Sequence, residues 1–216
     1  MARITDYNSL KTKVTEFAMR TGDTEFDDSG DTFIQLAESK LNRSLALRIM
    51  ETEVPLTGVV SSASLTLPAD FVEPFALNLT TFGEVTQLLP AESGSMARGL
   101  TNGVPSQWCI DGATIGLNVP CDQAHSFRFR YRKGFELSDA EPTNWLLTNH
   151  PDVYLAAALV WGGAYMRADE ELNRWAVILQ NAVEEIAWKE ARGIALAPLQ
   201  VDPALMGRPG FNIYTG

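Results

Sequence analysis

The chain has 216 residues, 45% of them hydrophobic and 20% charged, with a formal net charge of −10. That length buries about 70% of its unfolded surface, enough for one large core or two small ones. The charge argues against general polyanion binding, since a phosphate backbone would be repelled at long range.

Two cysteines, Cys109 and Cys121, make no disulfide framework. Met1-Ala2-Arg3-Ile4 leads straight into a polar amphipathic segment rather than a signal peptide. The longest apolar run, residues 153–166, is shorter than the roughly 20 residues of a bilayer span. A soluble protein without membrane contact, cytoplasmic when made, is expected.

Thr5 or Asp6 can cap a first helix that places Leu10, Val14, Phe17 and Ala18 on one face, ended by Gly22-Asp23. Asp27-Asp28-Ser29-Gly30 then reads as an acidic loop. Its order is not that of a calcium loop, and Asp31 reads as the N-cap of a second helix over residues 32–50, with Ile34, Ala37, Leu41, Leu45 and Ile49 at helical spacing.

From Glu51 short strand-like pieces appear, bounded by glycines and prolines, around Val54-Pro55-Leu56 and Leu65-Thr66-Leu67. Residues 77–82 and 85–89 flank Gly83-Glu84 as a candidate hairpin. Residues 107–110 and 113–117 flank Asp111-Gly112, the strongest short hairpin signal in the chain. Phe127-Arg128-Phe129-Arg130-Tyr131-Arg132 alternates strictly, with aromatics on one face and arginines on the other. The plain reading is a half-buried strand with a charged outer face. The sharper one sets Arg128, Arg130 and Arg132 against carboxylates of another subunit, or against a nucleic acid.

Helix resumes after Gly134, through Leu137-Ser138-Asp139 and the short turn Asn144-Trp145-Leu146-Leu147. A helical hairpin follows, over residues 151–166 and 170–192. Pro151 suits a first helical turn, and Asp152 faces the positive helix end. Residues 153–161 are apolar on nearly every side, so protein must surround them. Gly162-Gly163 costs roughly 1 kcal/mol of propensity per glycine unless another backbone packs there. In the second helix Leu172, Trp175, Ala176, Leu179, Val183, Ile186 and Ala187 form an unbroken stripe, and Gly193 is the expected stop. Trp188 falls off that stripe: a stray surface aromatic, or part of a contact with another molecule.

Residues 193–216 hold three prolines and several glycines, so neither helix nor central strand fits. They also carry many apolar side chains, Phe211, Ile213 and Tyr214 among them, too many for an ordinary disordered tail. An extended segment of this kind is expected on a partner's groove or sheet edge, with Arg208 available to pair with a carboxylate.

Catalytic chemistry finds no footing. His125 and His150 are the two histidines. With Cys109 and Cys121 they lack the close spacing of a zinc site, and neither is placed by a motif to serve a nucleophile. No P-loop, nucleophile elbow or metalloprotease motif occurs. No enzyme, metal or cofactor is expected.

Four segments resemble one family. Ile34-Gln35-Leu36-Ala37-Glu38, continuing to Leu41-Asn42-Arg43, resembles the second-helix signature of tailed-phage head-to-tail adaptor (connector) proteins. Leu65-Thr66-Leu67-Pro68-Ala69-Asp70-Phe71 is similar to the step by which that family enters its β region. Tyr131 and Leu137-Ser138 match the strand and turn that lead out of it. Asn144-Trp145-Leu146-Leu147 and Pro151-Asp152-Val153-Tyr154-Leu155, continuing to Leu159, are similar to its helical-hairpin signature. Together they span residues from about 30 to 190, in order.

The resemblance implies a virion protein made in the host cytoplasm: a subunit of a twelvefold ring beneath the portal protein, joined to tail or nozzle proteins. DNA would pass through without sequence-specific binding, and the C-terminal extension would dock on the portal.

The expected architecture is α+β but mainly a helical bundle. Residues 1–50 give the N-terminal helices, 51–133 an inserted small β domain, 134–192 the hairpin that completes the bundle, and 193–216 the partner-binding tail. The expected function is a structural head-to-tail adaptor; the alternative is a nucleic-acid-binding module using the Arg128, Arg130 and Arg132 face.

Overall fold

The computed structural model describes residues 3–81 and 84–195. Helix α1 (Tyr7–Phe17) starts at Asp6, whose carboxylate accepts from the Ser9 N–H while the Ser9 hydroxyl accepts from the Asp6 N–H. Helix α2 (Thr24–Ser44) starts eight residues before the expected position. Asp23 caps it by accepting from the Phe26 N–H, and Glu25 and Asp27 occupy a first turn that favours negative charge. The presumed acidic loop is therefore helical. Asp31 is no cap; it receives the Tyr7 hydroxyl and pairs with Lys11, tying α2 to α1.

Helix α2 stops at Ser44, and Arg48–Met50 forms a separate 3-10 turn. Eight strands follow: β1 (Glu51–Thr57), β2 (Ser64–Thr66), β3 (Phe71–Thr81), β4 (Glu84–Gln87), β5 (Leu89–Pro90), β6 (Gln107–Asp111), β7 (Thr114–Leu117) and β8 (Ser126–Lys133). One antiparallel sheet has the order β1-β8-β3-β4; the other, β2-β7-β6-β5, is antiparallel except for its β5–β6 pair.

A hairpin forms between β6 and β7, but one residue later than expected: Asp111 pairs with Thr114, so the two-residue turn is Gly112-Ala113, with Gly112 at φ +60° in its first position. Strand β3 begins earlier than expected because two register shifts against β8, on either side of Pro74, carry the ladder past a residue that cannot donate.

Phe127, Phe129 and Tyr131 of β8 face inward, with Leu77 and Leu79 beside them, onto Leu65, Trp108, Ile115 and Leu117 of the other sheet. Trp108 meets Phe129 edge to face.

Three further helices follow among the described residues: α3 (Trp145–Asn149), α4 (Pro151–Tyr165) and α5 (Asp169–Ala195). Helix α4 is enclosed, with Val153 through Leu159 all buried. At Gly163 an added Cβ would lie 3.1 Å from the backbone N and Cα of Leu172, so the glycine is where α4 and α5 approach backbone to backbone. Helix α5 runs through Gly193 rather than stopping there.

The second core unites α1, α2, α4 and α5, with Ile186 buried and Trp175, Leu179 and Val183 half-buried against it.

Among the described residues there are five α-helices and two four-stranded sheets, a mixed α+β fold. The expectation of a chain that is mainly a helical bundle is thereby overturned. The β region buries an aromatic-rich core of its own between two sheets, and strands of two to four residues carry too little alternation to announce it.

Candidate functional site

The residues with chemical potential are dispersed. Cys109 and Cys121 are free and buried in the sandwich. His125 Nε2 lies 2.7 Å from Asp122 Oδ1, and the His150 ring packs on Trp145. Among the described residues no three His, Cys, Asp or Glu side chains converge as a metal site, and no helix is long and apolar enough to cross a membrane.

The polar groups that do converge lie where the helical layer meets the sandwich, along a cleft of about 450 Å³. Asn42 of α2 brackets the chain leaving β8: its Nδ2 donates to the Phe135 carbonyl at 3.0 Å, and its Oδ1 accepts from the Phe135 N–H at 2.7 Å. Tyr131, the last aromatic of β8, donates its hydroxyl to Asp70 Oδ1 at 2.6 Å. The Gly134 N–H bonds the Asp70 carbonyl at 2.7 Å. Gly134 also lies against Asn42, whose Nδ2 would stand 3.0 Å from an added Cβ.

Deeper in, the buried Glu38 of α2 accepts from the Tyr154 hydroxyl of α4, which itself accepts from Asn144 Nδ2 at 2.7 Å. Burial pushes the Glu38 carboxyl up to about 8, with Glu136 adding repulsion against the opposing Tyr154 and Leu137 hydrogen bonds. Burial likewise raises the Tyr154 and Tyr131 phenols above their ordinary range.

The segments singled out for their resemblance thus meet at one joint: Glu38, Asn42, Asp70, Tyr131, Leu137, Asn144 and Tyr154 fix the angle between two layers. The sequence reading named Glu38 only as part of the second-helix signature and missed the joint, because its partners lie up to 116 positions apart.

Arg128, Arg130 and Arg132 share the outer face of β8, as the alternation predicts. Each faces a carboxylate of its own chain. Arg128 reaches Glu53 at 3.5 Å, Arg130 pairs with Glu51 and Arg132 with Glu73. The first two pairs run diagonally across the β1–β8 register, in which Arg130 stands opposite Glu53. Arg132 differs, because its side chain is only 16% exposed and its Nε is buried without a partner.

Trp188 stands 60% exposed on α5 with the Arg192 guanidinium 4.7 Å above its ring, so it is a surface aromatic carrying a cation–π contact. Arg208, Phe211, Ile213 and Tyr214 lie outside the described residues.

Compared with known proteins, the chain matches the family model described as SU10 adaptor protein over residues 5–202. No curated protein matches it.

Proposed function

The chain belongs to the SU10 adaptor protein family, a phage adaptor family of structural proteins, and from that premise we propose that it is a head-to-tail adaptor subunit. In this reading a ring of twelve copies sits beneath the portal and joins it to tail or nozzle proteins, with DNA passing through the lumen. The C-terminal tail docks on the portal, with Phe211 and Ile213 as anchors on one side of an extended segment and Tyr214 and Arg208 supplying polar contacts.

The observation that carries the reading is the family match across residues 5–202. It is supported by a convergence of polar residues at a joint between layers rather than around a reaction site. Trp188 and the Arg128, Arg130 and Arg132 face are the proposed contacts with neighbouring subunits or the tail.

The nucleic-acid alternative loses support from the same geometry. All three arginines already face carboxylates of their own chain, on a protein of net charge −10.

Deleting residues 209–216 tests the docking role. The truncated chain should keep the melting temperature of the full chain and no longer bind purified portal in a pull-down. Portal binding equal to that of the full chain overturns the docking role, and a lowered melting temperature assigns the tail to the subunit's own core.

A further inference from the structure

On one flank of α5, Ala157, Val160, Trp161, Leu179 and Val183 line an apolar cleft of about 450 Å³ between α4 and α5. Lys40 and Ser44 of α2 and Glu184 of α5 complete its lining. Beyond Val183 the same row of the helix continues, in steps of four, through Ala187 and Ala191, both exposed. No large side chain of that row therefore stands between the cleft and the end of the helix.

Residues 196–216 follow α5, and the first of them read Leu196-Ala197-Pro198-Leu199-Gln200-Val201-Asp202. Pro198 is a poor helix residue and suits a change of direction. In an extended chain Leu199 and Val201 share one face, and Asp202 leaves that face. The family match runs on past the helix and through this stretch, to residue 202.

We propose that this stretch folds back along its own helix: Leu199 and Val201 enter the cleft, and Asp202 pairs with Lys40 at its rim. The lengths agree. The cleft is centred near Gln180, about 22 Å from Ala195 at 1.5 Å per residue. Residues 196–202 span at most about 23 Å when extended, and the long lysine side chain makes up what the reversal takes.

The charges agree as well. Asp202 is the one charged residue between Ala195 and Arg208. Among the described residues the lysines in ion pairs are Lys11, Lys13 and Lys189, so Lys40 holds no carboxylate there. The cleft on the other flank of α5, lined by Phe17, Trp175 and Ile178, fits the stretch less well. It lies about 8 Å farther from Ala195 along the axis, and its rim charges, Glu171 and Arg174, already pair at 3.5 Å.

The clasp depends on neither ring nor portal. It leaves Arg208, Phe211, Ile213 and Tyr214 to the docking role above, but launches them from the middle of α5 instead of its end.

Disulfide trapping in the full-length chain tests the clasp, since the native cysteines are buried. Gln180→Cys places a thiol at the cleft; Asn181→Cys places one about 100° farther round the helix, and both positions are exposed. Each is combined with Val201→Cys and oxidised at low protein concentration. A tail that only diffuses on its tether meets both thiols alike. The clasp predicts a monomer with an intrachain disulfide that forms about tenfold faster with Gln180→Cys. Adding Lys40→Glu should cut that preference about two- to fivefold, and Asp202→Lys in the same chain should restore it. Equal rates at the two positions overturn the clasp. A preference indifferent to Lys40→Glu overturns the pairing and the register it sets. Disulfide-linked multimers in place of the monomer overturn the fold-back and assign the cleft to the tail of another copy.

Discussion

The Tyr154 hydroxyl donates to Glu38 Oε1 across 3.2 Å inside the helical core, joining α4 to α2 at residues 116 positions apart. Glu38 is 7% exposed, and burial holds its carboxyl protonated at pH values where a solvated glutamate is ionised.

A pH dependence follows. The folded pKa, about 8, lies above the ordinary 4.5, so the folded state binds the proton more tightly between those values. The stabilisation is fully present below about pH 4.5 and is lost as the pH rises through about 8, at no more than about 1.4 kcal/mol per pH unit. Glu38→Gln removes the titrating group, so urea midpoints at pH 5.5 and pH 8 should lie closer together for the variant than for the wild type. An equal separation would show that Glu38 ionises alike in both states.

Gly163→Ala sets two effects against each other. Alanine gains about 1 kcal/mol of helix propensity, but its methyl meets Leu172 backbone at 3.1 Å, which yields only if α4 and α5 separate. We expect a net loss of about 1–2 kcal/mol in thermal denaturation. Gly162→Ala meets the Phe26 ring edge at 3.2 Å, which can tilt, so its cost should be smaller.

The three arginines should separate in stability. Arg128→Gln and Arg130→Gln break pairs whose arginine side chains are 55% exposed, and each should change unfolding free energy by less than about 0.5 kcal/mol. Arg132→Gln leaves Glu73 unpaired beside a largely buried site and should cost about 1.5 kcal/mol. Equal effects at all three positions in urea denaturation would contradict the geometry.

Asn42→Ala removes the partners of the two peptide groups that flank the Phe135 Cα, one a donor and one an acceptor. A loss of about 1–3 kcal/mol is expected. Hydrogen exchange at the Phe135 amide should quicken more than at amides of the sandwich core.

What could be read from the sequence was what repeats locally. The α5 stripe, the hairpin near Gly112 and the alternation in β8 each rest on neighbours within a few positions; the alternation stands where expected, the hairpin turns one residue later, and the stripe packs on the core as far as Ile186 while Ala187 is exposed. The start of α2 was missed because its acidic residues look like a loop until the Asp23 cap and the buried Phe26 are seen. Gly193 looks like a stop, yet α5 continues past it for two residues. Nothing periodic marks Asn42, Asp70 or Asn144, whose partners are mostly backbone groups and hydroxyls in distant segments.

The Asn42 bracket has a mechanical consequence. One planar amide holds both the N–H and the carbonyl of Phe135, so the segment leaving the sandwich can neither slide along α2 nor swivel about a single bond. Strand β3 leaves this point and extends for about 33 Å at 3.3 Å per residue. A slack of about 5° at the bracket would swing its far end by about 3 Å, more than a packed side-chain contact tolerates. The amide therefore acts as a lever's fulcrum: its stiffness sets how accurately the distal end of the sandwich is aimed.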